Sequence, residues 1–216
     1  MGGVWLGGHG SPSRNVFVPG VKELFSAGAR NHFTHREDPM TDLDSLRYPI
    51  GGFQPRPSLS ADERESFITE IEHLPTDLRF VVSGLDDRQL DTPYRDGGWT
   101  LRQVIHHVAD SHMQSYVRYK WAMTEDNPTI KPYDEAAWAE LEEARTAPVE
   151  VSLKLLEALH ARWVIFLRNL TEEDFSRTIH HPESGEVSLE TNLQMYAWHG
   201  KHHLAHITGL AEREGW

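Results

Sequence analysis

Four long stretches of this chain space their apolar residues at the three- and four-residue intervals of an amphipathic helix, and none sustains the alternation of a half-buried strand. The first opens at Ser60, which with Glu63 makes a capping box, and continues through Phe67, Ile71, Leu74 and Leu78. The second opens with the capping box Thr100 and Gln103, continues through Leu101, Val104, Ile105 and Val108, and runs into the 120s. Pro128 and Pro132 then break the chain, and residues 134–138 (DEAAW) read as a short helical turn. Pro148 suits the first turn of a third helix, marked by Leu153, Leu156, Leu159, Trp163, Phe166, Leu167 and Leu170. Residues 180–185 (HHPESG) are turn chemistry that would fit a small hairpin, and Ser188 opens a fourth helix through Leu189, Leu193, Tyr196, Leu204, Ile207 and Leu210. The pattern predicts an all-α fold, a four-helix bundle with a short hairpin or loop insertion before the last helix.

A chain of 216 residues suits one such domain. The first 39 or so residues are rich in Gly, Ser, Pro and Asn and lack a sustained period. They read as a poorly ordered extension reaching about residue 47, with the bundle over 48–216. Met40 is an alternative start, which would make the upstream residues an addition. Charge narrows the partners: 33 acidic against 21 basic residues give a net charge of −12, which repels a phosphate backbone and argues against nucleic acid. No apolar run approaches the roughly 20 residues that span a bilayer, so no membrane partner is expected and the cytoplasm is the expected location.

The chain contains no cysteine, which excludes thiolate ligands, disulfides and a cysteine nucleophile. It contains 14 histidines, several of them clustered at 106, 107 and 112 and again at 199, 202, 203 and 206. On a helix, residues i and i+4 share a face and can grip one ion. The fourth helix offers two such pairs, His199/His203 and His202/His206. With Leu189, Leu193, Tyr196, Leu204 and Ile207 facing inward, His203 falls within the apolar stripe and His199 beside it, whereas His202 points away. Gly200, between the chosen pair, fits a place where another helix comes close. On the second helix the same test favours His107, a turn after Val104, over His106. Three imidazoles from two facing helices would leave an open position for water or substrate. Taken alone, an HxxxH pair is more often surface histidine than a metal site, and HGKHH lacks the Glu of HExxH. His106, His112, His202 and His206 read as supporting or surface groups. Asp110, one turn after His107, could orient an imidazole or act as a base, and equally could be a solvated charge. His73, His160, His180 and His181 have no spacing that ties them to the site.

Residues 48–53 (YPIGGF), 91–100 (DTPYRDGGWT), 104–113 (VIHHVADSHM) and 198–207 (WHGKHHLAHI) together resemble the YfiT branch of the DinB-like superfamily, a likeness that extends from Tyr48 to Trp216. It implies an up-down-down-up bundle, often a homodimer, holding one zinc or nickel ion per chain through His107, His199 and His203. It also places Tyr94, Arg95 and Trp99 by the pocket, where Arg95 would pair with a substrate carboxylate or else pin its own loop. Arg118 and Tyr119 are weaker candidates. The branch includes enzymes described as metal-dependent hydrolases and others that join bacillithiol, or a related small thiol, to an electrophile. Three functions therefore stand open: a metal-dependent thiol S-transferase acting on a small thiol and an electrophile, a hydrolase of amide or ester bonds using metal-activated water, and a non-catalytic metal-binding stress protein.

Overall fold

The computed structural model describes residues 42–216. Its elements, in chain order, are α1 (Asp42–Arg47), α2 (Ala61–Val82), α3 (Asp87–Leu90), α4 (Leu101–Thr124), α5 (Glu135–Ala139), α6 (Glu142–Thr146), α7 (Val149–Arg168), α8 (Glu172–Phe175), β1 (Thr178–His181), β2 (Gly185–Ser188) and α9 (Leu189–Glu214). The four long helices are those the apolar spacing predicts. Their starts are fixed chemically: Ser60 and Thr100 complete the predicted capping boxes, and the Ser188 hydroxyl accepts from the Thr191 N–H. The predicted hairpin is present, with β1 and β2 antiparallel and Thr178 opposite Ser188. The boundary at residue 47 shifts, because Asp42–Arg47 is a helix whose last carbonyl accepts from His206 at 3.1 Å, which docks it on α9. The rest of the predicted extension, Met40 included, lies outside the described residues. No helix among the described residues is long and apolar enough to cross a membrane.

Side-chain pairings give the topology. His106 meets Ser152, and Tyr119 packs on Phe166, so α4 and α7 run in the same direction. Ser115 meets Asn192, and His107 meets His199, so α4 and α9 run oppositely. Arg79 pairs with Glu150 and Arg168 with Glu72, so α2 opposes α7, whereas Arg64–Glu190 and Lys201–Glu70 set α2 and α9 parallel. The bundle is up-down-down-up, and around it α2 touches α7 and α9 while α4 sits diagonally across from α2. Of the long helices consecutive in sequence, α2 and α4, and likewise α7 and α9, thus lie diagonally across the core, whereas α4 and α7 pack side by side.

That core is divided. One apolar cluster takes Ile68, Ile71, Tyr119, Trp163, Leu167, Leu189 and Leu193. The other takes Leu74, Leu78, Val104, Val108, Leu156, Ile207 and Leu210. Between them, along α4, α7 and α9, lie His112, His160, His199 and His203, all buried. Gly200 lies where α2 approaches α9: a Cβ there would stand 2.5 Å from Leu74 Cδ2 and 3.1 Å from Cδ1. Gly200→Ala gains helix propensity but overpacks this contact, so a net loss of about 1 kcal/mol is expected in urea unfolding. In a Leu74→Ala background the same change should cost less, and equal costs in both backgrounds would contradict the close approach.

Candidate metal centre

The structure brings together the three imidazoles that the helical faces select. His107, His199 and His203 are buried, and one nitrogen from each lies within 4.8 Å of the others. His107 Nε2 and His199 Nε2 are 3.2 Å apart. Two nitrogens bound about 2.05 Å from one tetrahedral ion would stand about 3.3 Å apart, so the spacing fits a shared cation. Among the described residues no carboxylate joins the group, so a bound tetrahedral ion would have three protein ligands and one further position to fill.

The helices place these rings by turn arithmetic. His199 and His203 are one turn apart on α9, their ring centroids 4.5 Å apart, and His107 reaches them from the antiparallel α4. The loop of residues 91–100 closes over His107. Its ends are pinned by backbone hydrogen bonds from the Tyr94 N–H to the Trp99 carbonyl (3.0 Å) and from the Leu101 N–H to the Thr92 carbonyl (3.2 Å). Arg102 reaches from α4 to Asp91 at 2.6 Å and to Asp87 at 2.8 Å. Trp99 is thereby buried with its ring 4.7 Å from that of His107. Tyr94 stacks on His206 at 4.0 Å.

Other expected site residues fall elsewhere. Arg95 lies behind Tyr94 and donates to the Asp96 carbonyl at 2.8 Å. It lines an outer cleft of about 510 Å³ with Leu43, Leu46, Leu210 and Arg213, with the Tyr94 and His206 rings between it and the triad. Its pairing with a substrate carboxylate at the metal therefore loses support, since the loop turns it outward. No hydrogen bond joins Asp110 to the three imidazoles. Burial pushes its carboxyl up to about 6, with Glu143 adding to the effect, so it faces α6 alongside His106. His106 donates from Nε2 to the Ala147 carbonyl at 3.2 Å and accepts from the Ser152 hydroxyl at 2.7 Å. Arg118 and Tyr119 are buried further along α4, Tyr119 donating to the Leu189 carbonyl at 2.7 Å.

Besides Trp99, further histidines touch the ligand candidates. His112 contacts His199 and His206 contacts His203. His160, which carried no spacing signal, is buried and stacked on His112 at 4.9 Å. It escaped notice because its partner is on another helix, and a single sequence records intrahelical intervals only. His202 stacks on Trp198 at 4.5 Å and meets the His203 ring edge-on at 5.1 Å, outside the three-nitrogen cluster.

All these rings are held neutral. Burial lowers His107 to about 3, with His206 contributing, and lowers His160 to about 4; it drives His112, His199 and His203 well below the ordinary range. The unfolded rings take up protons below 6.5, while the folded ones resist until pH falls to the lowered values. Stability is therefore full above 6.5 and declines with acidification, by up to about 1.4 kcal/mol per pH unit for each ring. Metal-free protein should show a steep fall in urea midpoint between pH 7 and 5, and a flat profile would contradict the neutral layer. His199→Ala or His203→Ala should abolish stoichiometric metal in elemental analysis, whereas His202→Ala should retain it.

Known proteins carry related sequences. A family model described as the DinB superfamily matches residues 70–207. YfiT of Bacillus subtilis (strain 168), provisionally named a metal-dependent hydrolase, is 51% identical over 178 residues, covering 82% of this chain and 99% of its own length. A Bacillus cereus (strain 03BB102) protein with the same provisional name is 53% identical over 174 residues, covering 81% of this chain and 100% of its own. The solved structure of B. subtilis YfiT, described as having an unusual four-helix bundle topology, superposes with a TM-score of 0.78 at 50% identity, covering 80% of this chain and 99% of that one.

Proposed function

The chain belongs to the DinB superfamily, and from that premise we propose that it is a metal-dependent enzyme, a thiol S-transferase that joins a small bacillithiol-like thiol to an electrophilic small molecule. The single observation that carries this reading is the composition of the cluster: three neutral imidazoles and no carboxylate among the described residues within it, a set that would leave a bound ion one position to fill. A zinc or nickel ion bound there supplies a Lewis acid that lowers the pKa of whatever enters the open position. A thiol, ordinarily near 8.5, would need less help to lose its proton there than water, which benefits from a carboxylate base positioned against it, as in HExxH sites.

The chain's residues supply what remains. His107, His199 and His203 would hold the ion and set the open side by their directions. The Trp99 ring, against His107, excludes water and offers an apolar wall to the electrophile's body. No side chain of this protein can act as the attacking sulfur, since it has no cysteine, so the nucleophile comes with the cosubstrate. In the transfer, the carbon–sulfur bond forms as the bond to a leaving group such as chloride breaks, and the thiol proton passes to solvent.

A second reading, hydrolysis of an amide or ester by metal-activated water, draws on the names of the relatives. The two separate in one assay. Metal-loaded protein is offered a chlorinated or epoxide-bearing acceptor with and without a small thiol, in parallel with activated esters and amides. Conjugation that requires both thiol and metal, and that His199→Ala reduces to background, is the expected result. Ester or amide turnover with no thiol, and no conjugation with any thiol tested, would transfer the assignment to the second reading.

A further inference from the structure

Pro75 lies inside α2, four residues after Ile71. A helix-interior proline has no N–H to donate, so the carbonyl four residues earlier loses its usual partner. Here that carbonyl is not abandoned: His160 Nδ1 lies 2.6 Å from the Ile71 oxygen. A carbonyl can only accept, so His160 carries its proton on Nδ1, and its Nε2, if the ring is neutral, can only accept in turn. That Nε2 is 3.0 Å from His112 Nδ1, which must therefore be the N–H of His112. His112 Nε2 is then an acceptor, 3.2 Å from His199 Nδ1, which donates to it. Each ring has one proton to place, and the direction fixed at the Ile71 carbonyl passes along the line to leave the lone pair of His199 on Nε2, the atom facing His107.

We propose that Pro75, His160 and His112 form a tautomer relay, positioning residues that select which nitrogen of His199 is presented to the metal. The relay rests on the metal-centre reading above for its purpose, but its hydrogen-bond direction holds with or without an ion. A shorter version backs His203: the Arg47 carbonyl, at the end of α1, accepts from His206 Nε2 at 3.1 Å, and His206 Nδ1 faces His203 Nδ1 at 3.4 Å. Both α9 rings are thus directed by a backbone carbonyl through an intervening imidazole, rather than by the carboxylate or direct carbonyl that more often backs a metal-bound histidine. Such partners are worth roughly 10–100-fold in metal affinity.

The test uses the full chain in three variants. His160→Leu removes the link, His160→Gln keeps a donor for Ile71 and an acceptor for His112, and Pro75→Ala gives Ile71 a competing backbone N–H. Two quantities are measured: zinc affinity by chelator competition, and the tautomer of His199 by ¹⁵N NMR of metal-free protein, with urea midpoints to show that each variant is folded. The wild type should show His199 protonated on Nδ1. In His160→Leu, His112 is released to turn its proton towards His199, which should shift His199 to the Nε2 tautomer and weaken zinc roughly 10–100-fold. His160→Gln should restore both within a few-fold, and Pro75→Ala should weaken zinc several-fold. An unchanged His199 tautomer in folded His160→Leu, or a Gln variant no better than Leu, would overturn the relay while leaving the metal centre standing. Failure of the wild type to bind zinc or nickel would sink the metal-centre reading, and the NMR measurement would still decide the relay.

Discussion

Burying many imidazoles in one layer, with apolar clusters on both sides, is the constraint around which this bundle is organised. Each ring brings one N–H and one lone pair into a region without solvent, and an unpaired polar group there costs on the order of 1–3 kcal/mol. The layer meets that cost by pairing rings with each other and with main-chain oxygens, and by staying neutral. Neutrality matters twice, since a protonated ring would be poorly solvated and would also have no lone pair for a cation. The chemistry that makes the layer foldable is the chemistry that makes it a ligand set.

Much of this was legible in the sequence because helices write their faces at fixed intervals. Ser60, Thr100 and Ser188 mark the starts of three long helices, and the apolar stripe of α9 separates His199 and His203 from His202. The short helices α3, α6 and α8 were missed, although α3 and α8 carry capping boxes at Asp86 and Thr171, because four or five residues hold too little periodicity to register. The role of His160 was illegible for a different reason. Its meaning depends on α7 lying beside α4 and α2, a relation between distant segments. Pro75 is similar: within α2 it reads as a flaw in the pattern, and only its neighbour on α7 gives the freed oxygen a use. The sequence leaves Arg95 open between a substrate contact and a tie within its own loop, and its bond to the Asp96 carbonyl is of the second kind.

The choice between a sulfur and an oxygen nucleophile turns on what surrounds three imidazoles, which nearly any borderline divalent ion would accept. An enzyme without cysteine cannot be inactivated by oxidation of its own thiol and cannot form a mixed disulfide with a thiol cosubstrate. Both properties would suit the proposed transfer of a thiol to a carbon electrophile.

The diagonal placement of α2 and α4 has a kinetic side. Chains usually begin folding by zipping neighbouring helices into hairpins, where loop closure is cheapest. Here that shortcut leads away from the native arrangement, since α2's lateral partners are α7 and α9, the latter more than a hundred residues downstream. The ion-binding cleft is therefore complete only with the C-terminal helix seated between α2 and α4, since His107 stands 92 residues from His199 along the chain.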